Sequence, residues 1–256
     1  MGVKNHSNDQ IIQLTKSILH TTMKLRSILI GLMLFATIIA KSQAFWILVL
    51  GDRISNDFME SGINFSITRS NYSDLDRSNK LFSWALGGFM DFKIKDSPWN
   101  IAVDMTFKSP TGASNLNSYY SHYPIIDTGV VTDNIILEGV NFAIPIYLKY
   151  KTKYINIGIG PQFNFLYKAN FRYEAEARDD YKIKVTNNAR EHVKMFDIGI
   201  SGVIETYLIP SKPKTSLRIG LRYYYGFISQ LKDYPGANSS VFMISFGIPI
   251  VGKSMI

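Results

Sequence analysis

The sequence predicts an all-β protein: an eight-stranded antiparallel up-and-down transmembrane β-barrel, preceded by a cleavable signal peptide. Three observations support this fold class. Apolar residues alternate with small or polar residues at a period of two along many segments, which is typical of strands. The connections between these segments alternate between short and long. Only 19% of the residues are charged, against roughly 25% in soluble domains, while the chain contains 15 Tyr and 16 Phe.

The segment YINIGIGPQFNFLYK, residues 154–168, carries the alternation most clearly. One face is apolar from Ile155 to Tyr167, and the opposite face holds glycines and side-chain amides. That second face has almost no charge before Lys168, whereas the wet face of a soluble sandwich strand usually carries Lys, Glu and Thr. We therefore expect the polar face to be enclosed and the apolar face to contact lipid.

The N-terminal part of the chain is expected to lie outside the barrel. Residues 23–44, MKLRSILIGLMLFATIIAKSQA, combine two cations, an apolar run and small residues before a cleavage site, as a secretory signal peptide does. Residues 1–22 are expected to be a non-native or disordered extension. Residues 45–59 form a short segment before the barrel domain, which is expected to cover residues 60–256.

Eight strands are predicted in the barrel domain. They cover residues 60–68, 82–95, 98–109, 134–150, 153–170, 193–209, 214–228 and 239–251. The gaps run long, short, long, short, long, short and medium, and the long gap directly before the sixth strand covers residues 171–192. An outer-membrane barrel alternates short periplasmic turns with longer extracellular loops in this way. A soluble barrel of the lipocalin type would also explain the alternation and the export signal.

Charged residues are expected to lie inside the barrel, because a Lys or Arg at the bilayer midplane costs roughly 2 to 4 kcal/mol. The lumen of an eight-stranded barrel is only wide enough to be filled by side chains. We therefore predict an interior polar network with a structural role, formed by Asp91, Lys93, Asp104, Asp197, Glu205, Arg218 and Arg222. The same alternation puts Lys108 on the inner face beside Asp104. An ion path along these charges is the functional alternative.

Residues 140–169, VNFAIPIYLKYKTKYINIGIGPQFNFLYKA, resemble the centre of the PorT-like outer-membrane β-barrel domain of Bacteroidota. In that family an Ile-Pro pair and a Leu-Lys-Tyr triplet lead through a short turn to a strand with Gly-Pro-Gln. The segments ESGINFS, FDIGISGVIE and LRIGLRYYYGF resemble other strands of the same domain. The resemblance covers about residues 60–251. It implies an outer-membrane barrel, with some members acting as accessory parts of protein secretion, and it carries over no catalytic residues.

Composition disfavours several classes of function. The chain has no Cys, which excludes a disulfide framework and a thiolate metal site. The formal net charge of +8 is scattered and comes partly from the N-terminal segment, so nucleic-acid binding is not expected. No cofactor, metal ligand or catalytic residue is predicted, and the chain is not expected to be an enzyme.

The expected function is a structural or interaction role in the outer membrane of a Gram-negative bacterium, by loop display or as an accessory factor for envelope or secretion machinery. The expected partners are outer-membrane lipid or lipopolysaccharide, the barrel assembly machinery, and secretion or envelope proteins.

Two alternative functions stay open. A small-solute porin would need a lumen less filled than Tyr154, Tyr207, Tyr224, Arg218 and Arg222 suggest. A lipid-modifying enzyme would need a Ser, a His and an acid to meet near the outer leaflet. Its candidate residues are Ser121, His122, Glu191 and His192.

Overall fold

The computed structural model describes residues 58–120, 134–176, 182–211 and 215–250. These residues form nine strands: β1 Met59–Tyr72, β2 Asn79–Lys93, β3 Trp99–Ser114, β4 Asn134–Lys151, β5 Asn156–Glu176, β6 Lys182–Asn188, β7 Phe196–Tyr207, β8 Arg218–Ser229 and β9 Asn238–Pro249. Within the described residues no helix is long and apolar enough to cross a membrane. The expected signal peptide and extension lie outside the described residues, as does the segment before the barrel apart from Phe58 and Met59.

Eight of the strands close into one barrel. Their order around the sheet is β4, β3, β2, β1, β9, β8, β7 and β5, and the last of these strands, β5, pairs with the first, β4. Neighbouring strands are antiparallel at every step, and β1 closes the ring by pairing with both β2 and β9. The predicted eight-stranded antiparallel barrel is thereby confirmed. Closure leaves no unpaired strand edge in the ring, which is a requirement for a sheet that spans a bilayer.

The ninth strand, β6, lies outside this ring. It pairs with the upper part of β5, from Asn170 opposite Asn188 to Glu176 opposite Lys182. The prediction of a loop over residues 171–192 was therefore wrong, because β5 continues to Glu176 and forms a hairpin with β6. The alternation in β6, KIKVT, spans only five residues, and no bilayer imposes an apolar face on this hairpin.

The two ends of the barrel differ in their connections. The turn end holds the start of β1 and the β2–β3, β4–β5 and β7–β8 connections. The loop end holds the β1–β2, β3–β4 and β8–β9 connections together with the β5–β6 hairpin. β1 and β3 continue past their predicted ends toward the loop end, to Tyr72 and Ser114.

The outer wall of the barrel carries an apolar belt. Its exposed aliphatic side chains include Ile101, Leu148, Ile157, Ile159, Ile200, Ile204, Leu221 and Ile244. Aromatic girdles flank them, with Trp99 against Tyr150 at the turn end and Phe107 against Phe142 at the loop end. The path along β3 from Trp99 to Phe107 is about 27 Å at about 3.4 Å per residue. With the strand tilt of about 35–45° in such barrels, this path rises about 20 Å, close to the height of the apolar band between the aromatic girdles of a membrane-spanning barrel.

Bulges change which wall of the barrel some side chains face. The β2–β3 ladder contains one extra residue, Phe107, between Thr106 and Lys108. Lys108 therefore lies on the outer wall, with its ammonium nitrogen 3.1 Å from the centroid of the Trp84 ring. The prediction that Lys108 faces the lumen was wrong for this reason. A second bulge, in the β4–β5 ladder, inserts Tyr167 in the same way.

The apolar belt predicts a depth-dependent cost for a charge on the outer wall. Ile159 is 58% exposed near the middle of the belt, and Leu208 is 62% exposed just past the end of β7 at the turn end. Ile159→Arg should destabilise the barrel in lipid vesicles by about 2 to 4 kcal/mol, and Leu208→Arg by at most about 1 kcal/mol. Reversible denaturant unfolding in vesicles measures both values. Equal costs for the two variants would contradict the assigned belt.

Candidate functional site

The lumen at the turn end is filled by a cluster of six charged side chains, called the ion cluster below. Its members are the acids Glu60, Asp91 and Glu205 and the cations Lys149, Lys151 and Arg218. Asp91, Lys149, Glu205 and Arg218 are fully buried, and Glu60 and Lys151 lie closer to the opening of the turn end. Three negative and three positive charges make the cluster neutral as a unit, which is the condition for burying so many ions together.

Lys149 stands at the centre of the ion cluster. Its Nζ lies 3.2 Å from Asp91 Oδ1 and 2.9 Å from Glu205 Oε1. Arg218 contacts the same two acids, with Nη1 at 3.1 Å from Asp91 Oδ2 and 3.2 Å from Glu205 Oε1. Each buried acid therefore meets two buried cations, and no member of this group of four is left without an opposite charge.

Lys151 extends the ion cluster toward the opening. Its Nζ lies 3.0 Å from Asp91 Oδ2 and 3.2 Å from Glu60 Oε2. The Tyr207 hydroxyl donates to the Glu60 carboxylate at 2.9 and 3.0 Å. The outermost acid is thereby held by a cation and a phenol, which closes the turn end of the lumen with polar contacts.

Glycines make room for the bulky members of this layer. Lys149 faces inward because the alternation of β4 puts it opposite Leu148 and Tyr150, and Gly158 of β5 lies beside its stem. A Cβ atom at Gly158 would come within 2.6 Å of Lys149 Cγ. On the other side of the lumen the Arg218 guanidinium carbon lies 3.6 Å from the centroid of the Phe89 ring. A Cβ atom at Gly62 would meet that ring at 2.4 Å.

A second polar layer lies at mid-height. Arg222 pairs with Asp104, and both side chains are buried. The Tyr147 hydroxyl lies 2.9 Å from the Ser201 hydroxyl beside them. A cavity of about 10 Å³ remains between Arg222, Tyr147 and Tyr224. That volume is at the lower limit for a single water molecule, so this layer offers no room for a solute.

The third polar layer lies nearer the loop end. The Tyr224 hydroxyl donates to Asp197 Oδ2 at 2.7 Å, and the Ile228 amide donates to Asp197 Oδ1 at 3.3 Å. The Gln162 amide donates to Asn164 Oδ1 at 2.9 Å. Asp197 is thus held by a phenol and a backbone amide, whereas the other buried acids of the lumen contact cations.

Six of the seven side chains expected in the interior network lie in the lumen. Asp91, Glu205 and Arg218 meet in the ion cluster, Asp104 and Arg222 pair at mid-height, and Asp197 lies apart from both groups. The lumen also contains Tyr207 and Tyr224, as the filled-lumen interpretation required.

Two expected lumen residues lie elsewhere. Lys93 is exposed at the last position of β2, so its assignment to the network was wrong. Its position in the alternation of β2 is an inward one, but the strand there has already passed the end of the enclosed lumen. Tyr154 is 59% exposed in the β4–β5 turn and does not fill the lumen. The central cation, Lys149, was missed, although the alternation of IYLKYK places it on the inner register with Tyr147.

The loop end of the lumen is closed by a hydrophobic cluster, called the cap below. Its buried members are Tyr72, Leu75, Ala113, Leu116, Tyr120, Ile135, Leu137, Leu166, Ala169, Phe171, Ala189, Val193, Leu231 and Ala237. They come from strand ends and from the β1–β2, β3–β4, β6–β7 and β8–β9 connections. The β6–β7 and β8–β9 connections are held together by backbone pairing, because Val193 of the first and Leu231 of the second form an antiparallel β-bridge. The barrel thus has its largest apolar core above the apolar belt and not within it.

Aromatic rings form one side of the cap. The Tyr120 ring lies 4.7 Å from Phe171 and 5.5 Å from Tyr234, centroid to centroid. Burial raises the pKa of Tyr120, and the nearby Asp233 carboxylate raises it further. Burial also raises the pKa of Tyr173, which packs against the same cluster. These phenols therefore stay neutral at physiological pH, as an apolar cap requires.

His192 belongs to the rim of the cap. Its Nδ1 lies 2.8 Å from Asp233 Oδ2, and its ring packs 5.6 Å from Phe171, centroid to centroid. The acid beside His192 is therefore Asp233, whereas Glu191 is exposed. Ser121 and His122, the other residues of the enzymatic alternative, lie outside the described residues. Among the residues that are described, no group of three or more His, Asp or Glu could hold a metal ion.

The ion cluster predicts an asymmetry between two lysines. Lys149→Met leaves Asp91 and Glu205 short of one buried cation, and loss of one partner from a buried ion pair costs about 3 to 5 kcal/mol. The folded barrel should unfold at a lower temperature, measured by the gel mobility shift that heating produces. Lys93→Met removes the same charge from an exposed site and should change stability by no more than about 0.5 kcal/mol. Matching unfolding temperatures for both variants would contradict the described network.

Comparison with solved structures finds outer-membrane and surface barrels at low identity. The attachment invasion locus protein Ail of Yersinia pestis, solved with the heparin analogue sucrose octasulfate, is 8% identical, covers 75% of this chain and 97% of its own, and has a TM-score of 0.37. Neisserial surface protein A is 12% identical, with 74% and 96% covered and a TM-score of 0.35. Outer membrane protein OprG of Pseudomonas aeruginosa is 10% identical, with 75% and 94% covered and a TM-score of 0.34.

No protein-family model matches the chain, and no curated protein is similar to it in sequence. The assignment of the chain to a class of protein therefore rests on its own geometry. A closed eight-stranded ring, an apolar belt between aromatic girdles and a polar lumen are the properties of an outer-membrane β-barrel protein of Gram-negative bacteria.

Proposed function

We propose that this chain is a non-conducting outer-membrane barrel with a structural or interaction role, and that its loop end faces the outside of the cell. The observation that carries the proposal is the closure of the lumen at both ends. The ion cluster fills the turn end with paired charges, and the cap fills the loop end with apolar side chains. A barrel closed twice is suited to presenting its surface and poorly suited to passing solutes.

The turn-end closure is costly to open. Lys149, Asp91 and Glu205 have no exposed side-chain surface or almost none, and they link strands on opposite sides of the ring. Opening a path there would separate buried opposite charges, which costs several kcal/mol per pair. This closure argues against the small-solute porin, which needs a water-filled lumen.

The loop end supplies the surface for an interaction role. The β5–β6 hairpin projects there from the ring, and its polar face is held by ion pairs of Glu174 with Arg172 at 3.3 Å and with Lys184 at 3.1 Å. The hydrogen bond from Lys184 lowers the pKa of Glu174, so this carboxylate stays charged. Because extracellular loops are longer than periplasmic turns, we assign this end to the outside.

The finer assignment concerns the partner. The resemblance of residues 140–169 to PorT-like barrels of Bacteroidota supports a role as an accessory factor for envelope or secretion machinery, and the barrel assembly machinery would insert the chain. The contact of His192 with Asp233 and the packing of the His192 ring on Phe171 support a structural role for this pair at the rim of the cap.

Two measurements test the proposal. Expressed in a Gram-negative host, residues 23–256 should appear in the outer-membrane fraction as a band whose gel mobility changes on boiling. The purified barrel should then insert into planar lipid bilayers without a steady conductance, while an established porin conducts in the same bilayers. A stable conductance that rises with salt concentration would overturn the proposal in favour of the porin.

A further inference from the structure

The outer wall of β1, β2 and β3 carries two cations at the loop-end girdle. Arg69 of β1 places its guanidinium carbon 5.4 Å from the centroid of the Phe82 ring. Lys108 of β3 places its ammonium nitrogen 3.1 Å from the centroid of the Trp84 ring. Phe82 and Trp84 lie two residues apart on β2, so the cations flank one pair of outward rings from both sides. These four residues are called the girdle site below.

The backbone builds the position of Lys108. Without the extra residue Phe107, the alternation of β3 would turn Lys108 into the lumen with Asp104 and Thr106. The bulge instead sends the ammonium group to the membrane side, where an isolated cation is costly. A bulge that re-aims a charged side chain in this way is a recurrent device next to binding sites.

Among the described residues, β1, β2 and β3 place no negative charge on the outer wall around the girdle site. β1, β2 and β3 contain three acids, namely Glu60, Asp91 and Asp104, and all three contact cations of the lumen. Within the described part of the chain, neither Arg69 nor Lys108 forms an ion pair. The ring faces stabilise the two cations, but leave their hydrogen-bond donors available.

We propose that the girdle site binds a phosphate group of a phosphorylated glycolipid in the outer leaflet. Two cations at the height of the headgroup boundary complement a phosphate, and charge-assisted hydrogen bonds to phosphate are strong. Beside the cations the same wall exposes Ile67 and Leu86, which pair in register with Trp84 and Lys108 and would contact the acyl chains of the same lipid. The combination of an anion site and an apolar wall selects an amphiphile over a free anion.

This inference rests on the proposed function in one respect, because it needs the loop end to lie at the outer leaflet. The rest of the argument concerns only the wall of β1–β3. The turn-end girdle provides the matched control, since Lys153 lies 5.3 Å from the Tyr154 ring centroid and Lys95 is also exposed at that end. Removing two positive charges at either end changes the net charge of the barrel equally.

The test measures binding of a diphosphorylated glycolipid to the folded full chain in zwitterionic micelles by native mass spectrometry. The double variant Arg69→Gln/Lys108→Gln should bind the glycolipid at least about tenfold more weakly, since it loses charge-assisted contacts. The control Lys95→Gln/Lys153→Gln should stay within about twofold of the unchanged chain. The mobility shift on boiling shows that each variant is folded.

Two further arms identify the ligand. The same glycolipid without its phosphates should bind the unchanged chain about as weakly as the phosphorylated glycolipid binds Arg69→Gln/Lys108→Gln. Inorganic phosphate should not displace the phosphorylated glycolipid from the unchanged chain. Equal binding with and without the lipid phosphates, equal losses in both double variants, or full displacement by inorganic phosphate would each overturn the inference. A barrel that binds the glycolipid as described but conducts ions would overturn the proposed function alone.

Discussion

The wall of this barrel is surrounded by hydrocarbon, and hydrocarbon cannot solvate a charge. Charged side chains of the strands between the two aromatic girdles must therefore turn inward, into a lumen that eight strands make too narrow for bulk water. Inside that lumen a charge can be stabilised only by an opposite charge or a hydrogen bond from the protein. The ion cluster around Lys149 satisfies this condition with three acids and three cations. Three features follow from the space that this pairing requires: the inward-facing glycines, the Phe89 ring stacked on Arg218, and the close packing of the polar layers nearer the loop end.

The cap follows from the same constraint at the other end. Above the apolar belt the wall meets water, so the ordinary pattern of a soluble protein returns, with apolar residues inside and polar residues outside. Leu116, Leu137 and Leu231 are fully buried there although they come from the β3–β4 connection, from β4 and from the β8–β9 connection. One chain thus contains two inverted arrangements: a polar lumen within the membrane and a hydrophobic core outside it. Among the described residues, the ion cluster fills the turn end of the ring and the cap fills its loop end.

The sequence predicted the parts of this design that depend on a period of two. The apolar face of residues 154–168 and the inward acids of β2, β3 and β7 could be assigned, because each strand keeps its register through the bilayer. Lys149 could have been found by the same rule. Lys93 could not be excluded, since alternation does not say where the enclosed space ends. Lys108 was assigned to the wrong wall because a bulge of one residue reverses the wall that its side chain faces, and no local sequence pattern marks this bulge. The cap depends on contacts between distant connections, which periodicity does not describe.

The ion cluster also constrains the order in which the barrel can assemble. Asp91 lies on β2, Lys149 on β4, Glu205 on β7 and Arg218 on β8, and the contacts of Lys149 span 58 and 56 residues of sequence. No pair of neighbouring strands carries both a buried acid and all the cations that neutralise it. A partly formed sheet would therefore leave Asp91 and Glu205 without their full sets of cations, and the ion cluster is completed only when the ring closes. Completion of the ion cluster thus favours the closed ring over any open arrangement of the same strands.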